Sequence, residues 1–213
     1  MSENAPDTAY RPTTICHMRL TRSFFTQPTR QLVQALLGCR LVRRWNGRRL
    51  SGVIVEAEAY IGENDLACHA RSGRTARTEV MYGQPGLAYV YFTYGMHWML
   101  NIVSEPKDFP AAVLIRALEP VEGIDVLMRQ RGSRPMTDLC SGPAKLTQAL
   151  RIDRTLNGVD LCDRRSNLWL ETDRSIPTRS IAHGPRIGLG TTPEPWRSKP
   201  WRFWVKANPF VSR

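Results

Sequence analysis

Lysine is scarce in this chain: it supplies 4 of the 30 basic residues, and arginine supplies the other 26. The five cysteines, at 16, 39, 68, 140 and 162, are odd in number and widely spaced, with no CxxC pair and no CxxH. Such spacing gives no support to a zinc or iron–sulfur centre, and reduced thiols in a cytoplasmic setting are expected. No apolar run approaches the roughly 20 residues that a membrane-spanning helix needs, so no membrane partner is expected. Residues 1–14 are polar, hold two prolines and lack the apolar segment of a signal peptide. They read as a disordered tail ahead of one domain over 15–213. There is no GxSxG, Walker loop or HExxH, which removes the familiar signatures of serine hydrolases, nucleotide-phosphate loops and zinc peptidases. Internal repeats and low-complexity tracts are also missing.

What is present is positive charge. Against 19 acids the formal net charge is +11. A planar guanidinium matches phosphate oxygens, so an Arg-heavy basic chain points to nucleic acid. A GC-rich genome would explain the Arg:Lys ratio but not the excess over acids.

The chain is organised around residues 53–101. Alternation along a strand over 48–60 puts Val53, Val55, Ala57 and Ala59 on one apolar face and Glu56, Glu58 and Tyr60 on the other. Alternate carboxylates can be a mere solvated face. A polar, basic loop follows with His69 and with Arg71, Arg74 and Arg77 spaced three apart, either solvated or facing phosphate. Then comes an aromatic strand holding Tyr89, Tyr91 and Tyr94, a Gly95 break, and a strand with Asn101. Around this core the pattern predicts a helix with Pro28 at its first position, stopped at Gly38. A strand over 40–45 and an Asn46-Gly47 hairpin turn lead into the strand over 48–60. Arg116 falls inside the apolar strand 112–119, so it must lie at an edge or meet a carboxylate such as Glu58. A helix opening at Pro143, with Ser141, Gly142 and Lys145, could hold an anion. These elements predict one α+β domain. Carboxylates beside Tyr rings in a basic protein suggest chemistry on a nucleotide turned out of the stack.

The segment Glu56-Ala57-Glu58-Ala59-Tyr60-Ile61-Gly62, then Asp65, His69, Tyr89-Val90-Tyr91-Phe92-Thr93-Tyr94-Gly95-Met96 and Asn101, resembles the alkyladenine (3-methyladenine) DNA glycosylase family. Arg116 to Pro120, Cys140 to Leu146, Arg186 to Gly190 and Lys199 to Phe203 match it too. The resemblance runs from about residue 20 onward. It implies a compact α+β fold around a curved antiparallel sheet with flanking helices, and a reaction without metal or organic cofactor. It implies a monofunctional enzyme, monomeric and DNA-associated, that flips alkylated or deaminated purines from double-stranded DNA and hydrolyses the N-glycosidic bond. Glu58 would be the general base, with Arg116 and the Ile187 carbonyl holding the water. Tyr60, His69 and Tyr91 would enclose the base, and Asn101 would reject guanine. Tyr94 would fill the gap in the duplex, with Met96, Ser141, Gly142 and Lys145 also on DNA. Glu56 would matter far less than Glu58. The rival expectations are an inactive binding module of the same fold, or a nucleoside or glycoside hydrolase using Glu56 and Glu58 as an acid–base pair.

Overall fold

Strand alternation and two interruptions of it decide where the site forms. The computed structural model describes residues 17–132 and 134–212; the expected tail over 1–14 and Cys16 lie outside them. Short helices α1 (Arg22–Phe25) and α2 (Thr29–Ala35) precede strands β1 (Arg40–Trp45), β2 (Arg48–Ile61), β3 (Ala88–Thr93), β4 (His97–Val103) and β5 (Ala111–Glu122). Helices α3 (Ile124–Arg131) and α4 (Pro143–Ala149) follow, then β6 (Leu168–Glu171), β7 (Ile181–Gly184) and β8 (Arg202–Val205). The strands pair antiparallel in the order β3-β4-β5-β2-β1-β6, and β8 pairs with β2 and β7. The sheet is not closed into a barrel, and with its helices it makes the single α+β unit expected.

Local chemistry explains the first turns. Leu32, Val33 and Leu36 give α2 a fully buried stripe. Pro28 caps this helix rather than starting it, one position earlier than expected. Gly38 ends the segment at φ +89°, and an added Cβ would stand 2.3 Å from the Arg174 carbonyl oxygen, so only glycine fits. Asn46 and Gly47 both have positive φ, 47° and 75°, as a type I′ hairpin turn requires.

The long strand departs from simple alternation. Pairing between β2 and β5 skips Val55 on one strand and Arg116 on the other. The main core therefore takes Leu50, Ile54, Ala57 and Ala59 from β2, and Val113, Ile115 and Leu118 from β5. Val53 and Val55 are buried but stand outside that cluster, contrary to the expected face. A bulge adds one residue, so side chains beyond it change phase, and such irregularities re-aim residues near sites. The edge of β2 also changes neighbour here: β1 pairs up to Val53, and β8 pairs over Glu56 to Glu58.

One row of the sheet then carries the site. Tyr89 pairs with Asn101, Asn101 with Leu114, Leu114 with Glu58, and Glu58 with Arg202, across five strands. Directly opposed residues share a face, so these side chains are brought together by register alone. A second, smaller cluster of Cys68, Ala70, Met81, Tyr82, Tyr89, Val103 and Ala112 packs under the aromatic end of this row.

Candidate active site

A pocket of about 430 Å³ opens over the row. Tyr60, His69, Tyr89, Tyr91, Tyr94, Asn101, Arg116, Pro143 and Ile187 line it. Glu58 is fully buried behind this lining and contacts three of its members, Tyr60, Arg116 and Ile187. Its Oε2 accepts from the Tyr60 hydroxyl at 2.8 Å, and its Oε1 accepts from the Ile187 amide at 2.7 Å. Arg116 Nη1 lies 3.2 Å from the same Oε1. A carboxylate has about four lone-pair sites, so Oε2, with one bond, keeps capacity to accept a further hydrogen bond. Burial pushes the Glu58 carboxyl up from its ordinary value, against the pull of Arg116, the Ile187 amide and Tyr60, while Glu56 adds to the rise. A base in this position is more avid for a proton than a free carboxylate.

The expected Arg116–carboxylate contact is doubled. Arg116 reaches Glu56 through Nε at 2.9 Å as well as Glu58 through Nη1. Burial works against the guanidinium's charge, but Glu58 and Glu56 outweigh it and raise its pKa. Glu56 is also fully buried and takes Arg202 Nη1 at 3.1 Å. It therefore faces arginines rather than the pocket.

The aromatic wall is set by β3 and the loop after β2. His69 opens a 3-10 turn, His69–Ser72. Its ring stands edge-on to Tyr91 with centroids 4.4 Å apart, and its Nδ1 is 2.9 Å from the Tyr89 hydroxyl. Burial, then Arg77 and Arg71, pull the His69 pKa down to about 4, so the ring is neutral near pH 7. His69 and Tyr91 thus form one wall. Asn101, 4% exposed, donates from Nδ2 to the Tyr89 carbonyl at 3.2 Å, so part of its side chain serves the hairpin.

The β3–β4 hairpin ends in an apolar tip. Tyr94 is 74% exposed and Met96 68%, with Phe92 beside them. Tyr94 has φ +52°, a left-handed conformation costing roughly 1–2 kcal/mol for a non-glycine residue. Gly95 follows at φ +67°. Below the tip, Phe92 packs on Trp98 with centroids 4.7 Å apart.

The start of α4 is less open to an anion than its sequence suggests. Lys145 is ion-paired with Asp138, and Ser141 Oγ also approaches Asp138 at 3.4 Å. Gly142 caps the helix in extended conformation. Of the three loop arginines, Arg74 is spent on Glu79 and Asp108. Arg71 lines the pocket, and Arg77 lies over the Tyr91 ring at 5.4 Å.

Two residues quoted only as part of a matching motif prove central. Asp65 and Arg186 form a fully buried bidentate pair at 2.6 and 2.9 Å. Arg186 also donates to the carbonyls of Ala59 and Trp196 and lies 4.6 Å over the Tyr60 ring. Asp65 accepts from the Ala67 amide at 3.1 Å, fixing the loop that carries His69. The pair thus ties the Ile187 amide, Tyr60 and the His69 loop together. A buried-arginine argument of the kind that singled out Arg116 could have found Arg186, but residues 181–190 read as a Gly-punctuated strand and turn rather than as an apolar strand.

Comparisons with known proteins show the family. The family described as Methylpurine-DNA glycosylase (MPG) matches residues 23–209. A protein of Methanocella arvoryzae is 47% identical over 195 residues, covering 91% of this chain and 96% of its own. One from Carboxydothermus hydrogenoformans is 46% identical over 196 residues, covering 92% and 100%. One from Chlorobium phaeobacteroides is 46% identical over 193 residues, covering 90% and 95%. Each bears the name "Putative 3-methyladenine DNA glycosylase". With its buried carboxylate, its aromatic pocket and these matches over nearly all its length, the chain belongs to the methylpurine-DNA glycosylase family, hydrolases of N-glycosidic bonds in DNA repair.

Proposed function

We propose that this enzyme flips alkylated or deaminated purines of the 3-methyladenine, hypoxanthine and ethenoadenine class out of duplex DNA, and that Glu58 drives hydrolysis of their glycosidic bond. The observation that carries this is the fully buried Glu58 behind an aromatic pocket, bonded to Tyr60, Arg116 and Ile187 of its lining, with lone-pair capacity left on Oε2. The water attacks the anomeric carbon while its proton passes to Glu58. The bond to the base breaks, and its electron pair leaves with the base. The sugar passes through an oxocarbenium-like state, which the nearby carboxylate stabilises.

The other groups bind and orient. Tyr60 stacks on one face of the base, with Tyr91 and His69 on the other. An alkylated purine carries positive charge, which favours electron-rich rings, and a neutral His69 does not repel it. Arg116 and Ile187 fix Glu58 through the guanidinium and the amide, with the Ile187 carbonyl left to hold the water. Asn101 crowds the exocyclic amino group that guanine has and adenine lacks. Tyr94 and Met96 enter the gap left in the stack, which costs a few kcal/mol to open. Arg71, Arg77, Ser141, Gly142 and Lys145 face the DNA backbone. The enzyme acts as a monomer on double-stranded DNA, and the free thiols of Cys39, Cys68, Cys140 and Cys162 suit a reducing cytoplasm.

The rival hydrolase with Glu56 and Glu58 as an acid–base pair is disfavoured by Glu56 itself, fully buried and bonded to Arg116 and Arg202. Single-turnover base release from duplexes carrying each lesion is the test, with free nucleosides as control substrates. Release from the duplexes alone is expected. Release from free nucleosides at equal rate would favour the rival.

A further inference from the structure

Glu56 is held on both oxygens by a residue far from it in sequence. Its Oε2 accepts from the Ser212 amide at 2.7 Å, and its Oε1 accepts from the Ser212 hydroxyl at 2.9 Å. The same hydroxyl accepts from Arg116 Nη2 at 3.3 Å. The three nitrogens of Arg116 thus go to three different residues: Nε to Glu56, Nη2 to Ser212, Nη1 to Glu58.

This division is unusual for an arginine between two carboxylates. A guanidinium prefers two parallel bonds to one carboxylate. Arg116 already gives Nε to Glu56 Oε1, so the natural second bond is Nη2 to Glu56 Oε2. Ser212 stands in that place, with its amide on Oε2 and its hydroxyl on Nη2. The segment bringing it there turns back after β8 through Ala207, at φ +54°. It is tied by Asn208 Nδ2 to Glu119 Oε2 at 3.3 Å. Arg202 completes a buried group of two carboxylates and two guanidiniums, itself held by the Pro185 carbonyl at 3.1 Å and lying over Trp204.

We propose that Ser212 and Glu56 are positioning residues for the glycosylase reaction: Ser212 prevents Arg116 from closing onto Glu56 and so keeps Nη1 on Glu58. This rests on Glu58 being the base. Without Ser212, Arg116 closes onto Glu56 and Glu58 loses its cation. The groups facing Glu58 are then the Tyr60 hydroxyl and Glu56 from β2 and the Ile187 amide from the turn after β7. Arg202 of β8 stays with Glu56. Arg116 lowers the Glu58 pKa at present, so its withdrawal raises the pH at which Glu58 becomes ionised.

The test is single-turnover release from a hypoxanthine duplex across pH, with Ser212→Ala, Ser212→Pro and Ser212→Thr in the full chain. Ser212→Pro, lacking both amide and hydroxyl, is expected to be slower at neutral pH by roughly tenfold or more. Its acid limb should move up by about one unit. Ser212→Ala should lie between, and Ser212→Thr, which keeps both donors, should match the parent. Lesion-duplex affinity should hold throughout. Should Ser212→Pro fail to fold, Ser212→Ala against Ser212→Thr makes the same comparison. An unmoved or lowered acid limb in the Ala variant, or equal loss in the Thr variant, would overturn the role of Ser212. Glu58→Gln run in parallel separates the two ideas: if it keeps full activity, Glu58 is not the base. If it loses activity while all Ser212 variants keep the parental profile, only the positioning role fails.

Discussion

The inner end of the pocket and its rim are built on opposite principles. At the inner end stands Arg116, with Glu56, Glu58, Asp65 and Arg186 behind the lining; all five are almost wholly removed from water, and each carboxylate oxygen of Glu58 already holds a partner. At the rim, Tyr94 and Met96 stand in solvent on a turn whose backbone is left-handed at Tyr94. The inner end is fixed before DNA arrives, as chemistry on a small reacting centre requires. The rim carries exposed apolar surface and local strain, features that mark sites of interaction. Rigid chemistry is thereby placed on β2, β5 and the loops packed on them, and binding to a deformable partner on the tip of the β3–β4 hairpin.

The sharpest way to break this contrast is at Glu58. Glu58→Gln keeps the shape but cannot accept a proton, and base release should fall by roughly 10²–10⁴-fold while duplex affinity persists. In the parent, the rate should fall as pH drops through a midpoint above the ordinary carboxylate range, because burial raises this pKa and the protonated form is inactive. Turnover near parental in the Gln variant would remove Glu58 from the reaction.

Asp65→Asn should separate stability from chemistry at the same end. Removing one partner of a buried pair costs about 3–5 kcal/mol, so the urea midpoint should drop clearly, since Arg186 is left charged and enclosed. A midpoint within error of the parent would show that the pair is replaceable.

Tyr94 should behave in the reverse way. Tyr94→Gly relieves the left-handed backbone and should raise stability by about 1 kcal/mol. It should also weaken flipping, read by a fluorescent base analogue opposite the lesion, by roughly tenfold or more. Unchanged flipping would dismiss Tyr94 as a wedge.

Asn101→Ser probes the boundary between the two regions. Shortening the side chain should raise the ratio of guanine to hypoxanthine release by about tenfold, within the range for small steric changes in a pocket. Uniform loss on every substrate would instead make its bond to the Tyr89 carbonyl its main role.

The smallest effects are expected at two basic residues, Arg77 in the loop after β2 and Lys145 at the start of α4. A free phosphate contact contributes roughly −0.9 to the slope of log K against log salt. Arg77→Ala should flatten the slope by about that amount, since Arg77 has no carboxylate partner among the described residues. Lys145→Ala should change it by less, because Asp138 already neutralises the charge. A full-sized change at Lys145 would show that DNA displaces Asp138.

The order of elements was legible because turns and periodicity are local. Asn46-Gly47 and Gly38 ended and reversed segments where their chemistry required. The face of β2 was misread at Val55, because a bulge depends on the partner strand and leaves no mark in the alternation of one segment. The same holds for Arg186 and Ser212. Each meets a partner more than a hundred positions away, and no spacing rule links them.

By itself the sequence determined the strands, the basic charge, the presence of Glu58 and of an aromatic strand, and the family resemblance, since each lies within a short window or in overall composition. The tertiary structure alone decided what surrounds each of two neighbouring glutamates. Glu56 and Glu58 are chemically identical and two residues apart. Glu58 meets Tyr60 and the Ile187 amide at the end of a pocket, while Glu56 meets Arg202 and Ser212 and is closed off. Burial and partners set what a carboxylate can do, and those are properties of the folded arrangement.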